Sequence, residues 1–184
     1  MYSNECIMYD EKELIRQCLS GNSRAEKQLY DRYSAGLFGL CLRYANCREE
    51  AEDMLVSGFT RIFQRLSEYG GTGSFEGWMR RVMVRNAIDT VRKRHAMVPE
   101  DMERLPVTED TAADGGIQQK LEAMDAMKAL QQLPPAYRTI FNLFVMEGCQ
   151  HKEIARIMGM NASTVRVYFN RAKKMLQELL EEKR

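Results

Sequence analysis

The sequence predicts an all-α protein of two small helical domains that are joined by a flexible acidic linker. Helix breakers are few, since the 184 residues include 12 Gly and 4 Pro, and no Pro precedes residue 99. Apolar residues recur every three or four positions, which is the period of a helix with one buried face. Residues 96–116 interrupt this period with two prolines, many acids and a final Gly-Gly. We therefore predict domains at residues 1–95 and 117–184, with a linker at 96–116.

Composition excludes several classes of protein. Hydrophobic residues make up 45% of the chain and the net charge is +1, so any nucleic-acid signal must be local. The N-terminus lacks the basic and apolar segments of a signal peptide, and no apolar run approaches 18 residues. We expect a cytoplasmic protein without membrane insertion.

Cysteine usage points to a reducing compartment. The five cysteines are odd in number and form no CxxC or Cys/His ligand pattern, so we expect free, mostly buried thiols, no metal and no cofactor. They are Cys6, Cys18, Cys41, Cys47 and Cys149.

The first two helices are predicted from their capping patterns and their period. Asp10 with Glu13, and Ser23 with Glu26, form capping boxes that open helices, and Gly21 ends the first of them. One buried face of the second helix is defined by Leu29, Tyr33, Leu37, Leu40 and Tyr44.

The third helix combines a buried stripe with an acidic beginning. The stripe consists of Ala51, Leu55, Phe59, Ile62 and Leu66. The acids near its start are Glu49, Glu50, Glu52 and Asp53. The helix dipole favours negative charge at this end, which is enough to explain the cluster. A second use as a contact surface stays open at this point.

Residues 69–74, YGGTGS, form a glycine-rich loop before the fourth helix. The loop contains no GxGxxG or GK[ST] pattern, so we do not predict a phosphate-binding loop. Ser74 is placed to cap the fourth helix. The apolar face of that helix comprises Trp78, Val82, Ile88 and Val91, and Trp78 is assigned to the core.

The fourth helix is strongly basic. Residues 80–95 carry six basic side chains and one acidic side chain, a net charge of +5. Basic residues off the apolar face are Arg81, Arg85, Arg92 and Lys93. A solvated surface is the simpler interpretation. The neighbouring rings of Tyr69, Phe75 and Trp78 favour single-stranded nucleic acid, because phosphates take the charge and bases stack on rings.

Charge is divided along the chain. Residues 96–122 hold seven acids and two bases, and residues 123–184 hold ten bases and six acids. Near-neutrality therefore hides two basic regions and an acidic bridge. The acidity of the linker either serves solubility alone, covers a basic DNA-binding face or follows a basic channel in a partner.

The C-terminal part is predicted to begin with two helices. The first runs from about residue 117 to 132 and ends where Pro134 disfavours helical geometry at Leu133, and Pro135 suits the first turn of the next helix. That helix ends at Gly148. Its apolar residues are Tyr137, Ile140, Phe141, Phe144 and Val145.

Residues 150–171, QHKEIARIMGMNASTVRVYFNR, have the pattern of a helix-turn-helix. Ile154, Met158 and Met160 are apolar where two short helices face each other. Ala155 is small where the helices cross, and Gly159 occupies the turn. A plain helical hairpin in a core is the alternative.

The second helix of this motif divides into two faces. Asn161 or Ser163 offers an N-cap, and Val165 and Tyr168 continue the apolar face. The buried stripe is predicted as Val165, Phe169, Ala172, Leu176 and Leu179. Arg166 and Asn170 lie one turn apart outside the stripe and suit guanine and adenine. Groups suited to phosphates are the Ser163 and Thr164 hydroxyls, Arg171, Lys173 and Lys174.

Nothing in the sequence predicts catalysis. His95 and His151 have no nucleophile or metal-ligand spacing beside them, and we interpret His151 as a polar residue of the motif's first helix. We expect neither an enzyme nor a small-molecule substrate. A free-standing dimeric helix-turn-helix regulator is an alternative that leaves the basic fourth helix unexplained, and a helical interaction scaffold is another.

Two segments carry a family resemblance. LPPAYRTIFNLFVMEGCQHKEIARIMGMNASTVRVYFNRAKKML resembles the C-terminal promoter-recognition domain of bacterial sigma factors of the extracytoplasmic-function (ECF) class. AEDMLVSGFTRIF and SFEGWMRRVMVRNAIDTVRKR resemble the two central helices of that family's N-terminal domain. The resemblance covers nearly the whole chain, in the family's order and with a linker between.

The resemblance implies a dissociable subunit of bacterial RNA polymerase that directs the enzyme to promoters and assists promoter opening. Implied partners are the core polymerase, promoter DNA and an anti-sigma factor, which is often membrane-bound. The linker would thread through the polymerase toward the RNA exit channel.

Residue roles follow from the resemblance by position. Polymerase-binding residues would be Glu52, Asp53 and Phe59, while Ser57 stands where the family usually has glutamine. The −10 element would be bound by Tyr69, Ser74, Arg81, Arg85, Asn86, Asp89, Arg92 and Lys93, with the loop at 69–74 holding a flipped base. The −35 element would be read by Ser163, Thr164, Arg166, Val167, Asn170, Arg171, Lys173 and Lys174. Val167 departs from the small polar residue often found there, so promoter preference should differ from that of better-known members.

Overall fold

A computed structural model describes residues 10–94 and 123–181, apart from the side chains of residues 94 and 123–126. Every regular element in these ranges is helical, as predicted. The elements are α1 Glu11–Leu19, α2 Ser23–Tyr44, α3 Arg48–Gln64, a 3₁₀ turn Leu66–Glu68, α4 Phe75–Arg94, α5 Ala123–Gln132, α6 Pro135–Phe141, a π-helical turn Asn142–Met146, α7 His151–Met158 and α8 Ala162–Glu181. None of these helices is long and apolar enough to cross a membrane.

The described residues form two compact units. One comprises residues 10–41 and 52–87, and the other comprises residues 42–51, 88–94 and 123–181. Residues 42–51 and 88–94 thus group with the C-terminal helices, although the sequence assigned them to the first domain. The domain limits at 95 and 117 stay a prediction. The linker at 96–116, the helix start near 117, Cys6 and His95 lie outside the described residues.

The start of α1 differs from the predicted capping box. Asp10 does cap the helix, because its carboxylate accepts a hydrogen bond from the Lys12 amide at 3.4 Å. Glu13 instead accepts from Arg16 at 2.7 Å and from Gln17 at 2.7 Å. The Arg16 bond is the largest cause that lowers the pKa of Glu13 to about 2. The capping-box prediction is therefore wrong in its second half, since the guanidinium attracts the carboxylate more strongly than a main-chain amide does.

The turn between α1 and α2 is built by Gly21 and Asn22. Gly21 has φ +78° and ends α1 as predicted. The cap of α2 is Asn22, whose side-chain oxygen accepts from the amides of Arg24 at 3.0 Å and Ala25 at 3.4 Å. The predicted Ser23–Glu26 box is therefore wrong by one residue, because Asn22 already reaches the second and third amides of the helix.

The core of the first unit contains the predicted apolar faces. Its buried residues include Leu29, Leu37, Leu40, Leu55, Phe59, Ile62, Leu66, Met79, Val82 and Met83. Tyr33 is only half-buried, and its hydroxyl donates to Glu11 at 2.7 Å. Burial is the main cause that raises the pKa of Tyr33 to about 12. The apolar period thus located this core correctly.

In the second unit, α5 ends where the prolines predicted, whereas α6 ends at Phe141 and a π-helical turn continues the segment toward Gly148. Helix α5 ends at Gln132, Pro135 lies in the first turn of α6, and Gly148 has φ +67° after the π-helical turn. That π-helical turn was not predicted. Tyr137, Ile140 and Phe141 are buried, as the pattern required.

The second unit also buries polar side chains that the sequence did not reveal. Arg138 is 0% exposed and donates to the Gln131 carbonyl at 3.0 Å and to the Asn46 side-chain oxygen. Asn142 donates to the Arg43 carbonyl at 2.7 Å. Burial lowers the pKa of Arg138, and the Glu50 carboxylate opposes this shift. A charged group at this depth is retained only because it is hydrogen-bonded and faces an opposite charge.

The cysteines match the prediction in part. The four described cysteines are free; Cys18 and Cys41 are buried, Cys149 is half-buried and Cys47 is exposed. Burial raises the pKa of Cys18 to about 11 and also raises that of Cys149. Cys18 and Cys41 therefore behave as small apolar residues of the core.

Candidate nucleic-acid interfaces

Helices α7 and α8 form the predicted helix-turn-helix. Ile154, Met158 and Val165 are buried, and Gly159 makes the turn with φ +69°. Helix α8 is capped by Asn161, whose side-chain oxygen accepts from the Thr164 amide at 2.7 Å. Of the two predicted caps, the structure therefore selects Asn161.

The face of α8 opposite the core carries the predicted reading residues. Arg166 and Asn170 are exposed one turn apart, and Lys174 continues the same surface. Val167, Arg171 and Lys173 are half-buried at its edges. Buried positions include Val165, Tyr168, Ala172 and Leu176, while Phe169 and Leu179 are half-buried. The predicted division into two faces thus holds, with Tyr168 more deeply buried than Phe169.

Ser163 and Thr164 are engaged in the cap. Both hydroxyls donate to the Asn161 side-chain oxygen, Thr164 at 2.8 Å. A hydroxyl proton can serve only one acceptor at a time, so contact with a phosphate through that proton competes with the cap. Their role as phosphate ligands stays a prediction.

His151 is not a plain surface polar residue. Its ring lies 4.7 Å from that of Phe144 and meets Phe169 edge-on at 5.9 Å. Burial lowers the pKa of His151, and the positive charge of Arg166 lowers it further. The ring of His151, in α7, is therefore uncharged near neutral pH and packs against Phe169 of α8. The sequence signal for this contact was the position of His151, which lies along the chain between the aromatic residues Phe144 and Phe169.

A second candidate interface lies around the glycine-rich loop. The Tyr69 hydroxyl donates to the Gly73 carbonyl at 2.8 Å, which closes the loop on itself. Gly71 and Gly73 have positive φ, which other residues rarely adopt. The Ser74 hydroxyl accepts from the Gly77 amide at 3.2 Å and caps α4, as predicted.

Three aromatic rings line the start of α4. Phe75 is buried, whereas Tyr69 and Trp78 are half-buried. The Phe75 and Trp78 rings stack with a 13° interplanar angle and 5.8 Å between centroids. Tyr69 lies 5.0 Å from Phe75 and 5.7 Å from Trp78. The cluster therefore combines a core anchor with two rings that reach the surface.

The basic residues of α4 lie off its buried stripe. Arg81, Arg85, Arg92 and Lys93 are exposed, and Asp89 is half-buried. Positions 81, 85 and 92 fall on one helical edge, which we call the basic edge of α4. A guanidinium nitrogen of Arg92 lies 3.5 Å from the Ile157 carbonyl. Use of this edge by DNA stays a prediction.

Asn86 and Phe59 require correction. Asn86 is 2% exposed, and its amide donates to the Met54 carbonyl at 2.9 Å and to the Ser57 hydroxyl at 2.8 Å. Phe59 is 3% exposed and packs against Tyr30, with 4.6 Å between ring centroids. Neither side chain is placed to contact DNA or polymerase directly. Position in a motif does not reveal which face of a helix the core covers.

The exposed face of α3 is acidic and apolar. Glu52 and Asp53 are exposed, as a contact surface requires, and Val56 is 62% exposed. Glu50 instead turns inward, at 3% exposed, and accepts from the Asn46 amide at 2.8 Å and from its side chain at 2.9 Å. Val56 was missed by the sequence analysis, although an apolar residue one position off the buried stripe was a usable signal.

Comparison with known proteins assigns both helical segments to one protein family. Residues 29–96 match the family model described as Sigma-70 region 2, and residues 123–176 match the model described as Sigma-70, region 4. The two matches do not overlap, follow the order of the two interfaces and together cover most of the chain. The chain belongs to the ECF class of RNA polymerase sigma factors.

Two sequence relatives support the same class, although the chain spans only 60% of the length of one of them. The chain is 28% identical to the RNA polymerase sigma-H factor of Pseudomonas aeruginosa, covering 94% of this chain and 96% of that protein. It is 29% identical to the ECF RNA polymerase sigma factor SigE of Mycolicibacterium smegmatis, covering 83% of this chain and 60% of that protein. The fold resembles that of the sigma factor RpoE of Bartonella quintana, with a TM-score of 0.52, 22% identity and coverage of 86% and 98%.

The class defines the activity in general terms. A sigma factor directs RNA polymerase to promoters during transcription initiation, with core polymerase and promoter DNA as its partners. Sigma factors are not a class of enzymes. Among the described residues, no group of three His, Cys, Asp or Glu side chains is placed to hold a metal ion.

Proposed function

We propose that this sigma factor uses three separate surfaces. The exposed face of α3 binds the core polymerase, α4 with its preceding loop binds the −10 element, and α8 reads the −35 element. The observation that carries the proposal is the concentration of basic side chains on outward faces of α4 and α8, in a chain whose net charge is only +1. Clusters of basic groups on two separate helices suit two separate contacts with one DNA.

The −35 contact is assigned to the exposed face of α8. In a helix-turn-helix the N-terminal part of the second helix lies over base edges in the major groove. Arg166 suits the O6 and N7 acceptors of guanine, and Asn170 suits adenine. Val167 offers an apolar contact for a thymine methyl group. Arg171, Lys173 and Lys174 supply charge for flanking phosphates.

The −10 contact is assigned to the loop and the basic edge of α4. Extruding a base from the duplex costs a few kcal/mol. Stacking on an aromatic ring returns about 1–3 kcal/mol per base, and Tyr69 and Trp78 are half-exposed beside the loop. Arg81 and Arg85 are exposed along the same helix and suit the phosphates of the separated strand. Asn86 takes no direct part in this contact.

The polymerase contact is assigned to Glu52, Asp53 and Val56. An exposed apolar side chain flanked by acids suits a partner that offers an apolar groove with a basic rim. Phe59 supports this surface from inside, through its packing on Tyr30.

Regulation and location complete the proposal. The sigma factor RpoE of Bartonella quintana was solved in complex with the anti-sigma factor NepR. We propose that this chain is likewise held by an anti-sigma factor, acts in the cytoplasm, has no enzymatic activity and needs no cofactor. Its core-binding and DNA-binding surfaces are those that an inhibitor must cover.

The decisive experiment is reconstitution of initiation. The purified chain is mixed with bacterial core polymerase and a library of promoter DNA, and transcripts are mapped and sequenced. We expect a stable complex and initiation at a defined subset of promoters. Absence of both the complex and promoter-specific initiation refutes the proposal. Tight, specific binding of duplex DNA by the chain alone would instead indicate a free-standing regulator.

A further inference from the structure

The buried side-chain amide of Asn86 connects helix α4 to helix α3 by hydrogen bonds. The Asn86 side-chain nitrogen donates to the Met54 carbonyl at 2.9 Å and to the Ser57 hydroxyl at 2.8 Å. A carboxamide nitrogen carries two protons, so both bonds exist together. Both acceptors belong to α3, whereas Asn86 belongs to α4. Hydrogen bonds are directional, so two bonds from one nitrogen restrict both the sliding and the rotation of α4 on α3.

The two helices touch at this same point. A Cβ atom added to Gly58 would collide with the Met83 sulfur and lie 3.5 Å from the Asn86 side-chain nitrogen. The α3 backbone at Gly58 therefore packs directly on the end of the Met83 side chain, which would have to move to admit another side chain. The amide bonds and the close packing thus both restrict the relative position of the two helices.

Ser57 connects this buried amide to the outer face of α3. It is exposed and lies one helical turn after Asp53, on the surface assigned to the polymerase. Its hydroxyl accepts from Asn86 and donates to the Met54 carbonyl at 3.2 Å. One side chain therefore belongs to the polymerase-facing surface and to the α3–α4 contact. Ser57 is also the position where the family resemblance leads us to expect glutamine.

We infer that Asn86 and Ser57 couple polymerase binding on α3 to the orientation of α4, so that Arg81 and Arg85 meet the −10 strand at a fixed angle. This inference rests on the proposed functions of α3 and α4. Asn86 is then a positioning residue for promoter opening, and Ser57 supplies the hydroxyl through which α3 holds it.

The test separates binding of the polymerase from opening of the promoter. Ser57→Ala, Asn86→Leu and the double variant are assembled with core polymerase. For each, the Kd for core and the rate of base unstacking at the −10 element are measured, the latter with a fluorescent adenine analogue. At saturating core polymerase we expect each single variant to open about two- to tenfold more slowly, and the buried Asn86→Leu to keep a Kd for core within about twofold of the wild type. The double variant should open as slowly as Asn86→Leu alone, because both substitutions remove the same bond.

Thr60→Ala is the matched control. The Thr60 hydroxyl also donates to an α3 carbonyl, that of Val56 at 2.9 Å, so this bond stays within α3. At saturating core polymerase, where any change in binding is removed, we expect Thr60→Ala to open promoters at the wild-type rate. Opening by Ser57→Ala at the rate of Thr60→Ala overturns the inference, as do fully additive losses in the double variant. If Asn86→Leu does not fold, the comparison of Ser57→Ala with Thr60→Ala decides alone.

The outcomes also distinguish this inference from the proposed function. A wild-type chain that neither binds core nor opens promoters refutes the proposed function. A wild-type chain that opens promoters, with variants that match it, refutes only the coupling.

Discussion

The Asn142 side chain donates a hydrogen bond to the main-chain carbonyl of Arg43 at 2.7 Å, which joins the π-helical turn after α6 to the end of α2 within the second unit. Asn142 is 0% exposed, so this carbonyl has no easy replacement donor from solvent. A polar group that is buried and loses its partner costs about 1–3 kcal/mol. The contact therefore contributes to the stability of the unit.

We predict that Asn142→Leu lowers the free energy of unfolding by about 1–3 kcal/mol, because the Arg43 carbonyl loses its donor. Urea unfolding followed by circular dichroism measures this. Asn170→Leu, at an exposed position, is the control and should change stability by less than about 0.5 kcal/mol. Equal stability of the two variants would contradict the prediction.

Two helical glycines, Gly58 and Gly36, allow a comparison of an alanine substitution in a packed position with one in an open position. Gly58→Ala should leave the protein about 1–3 kcal/mol less stable than Gly36→Ala does, since the new methyl group forces the end of the buried Met83 side chain to move. Gly36→Ala should stabilise it by about 0.5–1 kcal/mol, because it lies inside α2 with open space around its missing Cβ. Thermal unfolding of both variants measures this difference. Equal stability of the two variants would show that the Met83 side chain moves aside at little cost.

Stability should depend on pH through His151. Its pKa is lowered in the folded state by burial and by Arg166, from an ordinary value of 6.5. The unfolded chain therefore binds a proton that the folded chain rejects. This contribution to stability is complete above about pH 6.5 and is lost as the pH falls through the folded-state pKa.

Unfolding of wild type and His151→Phe at pH 7.5 and at pH 5.5 tests this dependence. Phenylalanine keeps a ring against Phe144 and Phe169 but does not titrate. We expect the variant to lose less stability on acidification than the wild type does. Identical pH dependence in the two proteins would exclude His151 as the source.

Substitution of Arg166 and substitution of Lys174 should change DNA binding in different ways. We predict that Arg166→Ala relaxes preference at one −35 base pair by about 1–3 kcal/mol, because a two-point contact with guanine is lost. Lys174→Ala should weaken binding to all sequences alike and reduce its salt dependence, as expected of a phosphate contact. Transcription from promoters randomised at the −35 element separates the two. A uniform loss with Arg166→Ala would reassign it to the backbone.

Val56 should matter for polymerase binding but not for folding. We predict that Val56→Ala weakens binding to core polymerase by about tenfold, since an exposed apolar side chain among acids is placed as an interface anchor. Leu19→Ala is the control, because Leu19 is 53% exposed on α1, outside the proposed surface. Equal affinities of the two variants would remove Val56 from the interface.

The period of the apolar residues and the positions of Gly and Pro were sufficient to locate most of the helices. The ends of α1 and α5, the positive φ of Gly21, Gly148 and Gly159, and the two faces of α8 all follow from local preferences. Such features depend on residues within one helical turn, which a sequence displays directly. The N-cap of α2 could not be assigned from the sequence, since Asn22 and Ser23 are neighbours and both residue types are equally suited to capping a helix.

Long-range contacts were decided by the tertiary structure. Arg138 and Asn142 look like polar positions on an amphipathic helix, yet both are buried, because their partners Asn46 and Arg43 lie more than ninety residues earlier. Asn86 lies in a basic segment, yet it faces α3. Helical period assigns relative faces but does not reveal which polar side chain finds a buried partner from a distant segment.

The sequence by itself thus determined that the described segments are helical, that the chain carries a helix-turn-helix, and that α4 and α8 each carry a cluster of basic residues. These properties follow from spacing and composition along single helices. Only the tertiary structure decided which of those residues remain available for DNA and which hold helices together. The reason is physical: a side chain's role depends on the desolvation and hydrogen bonding supplied by segments that are remote in sequence.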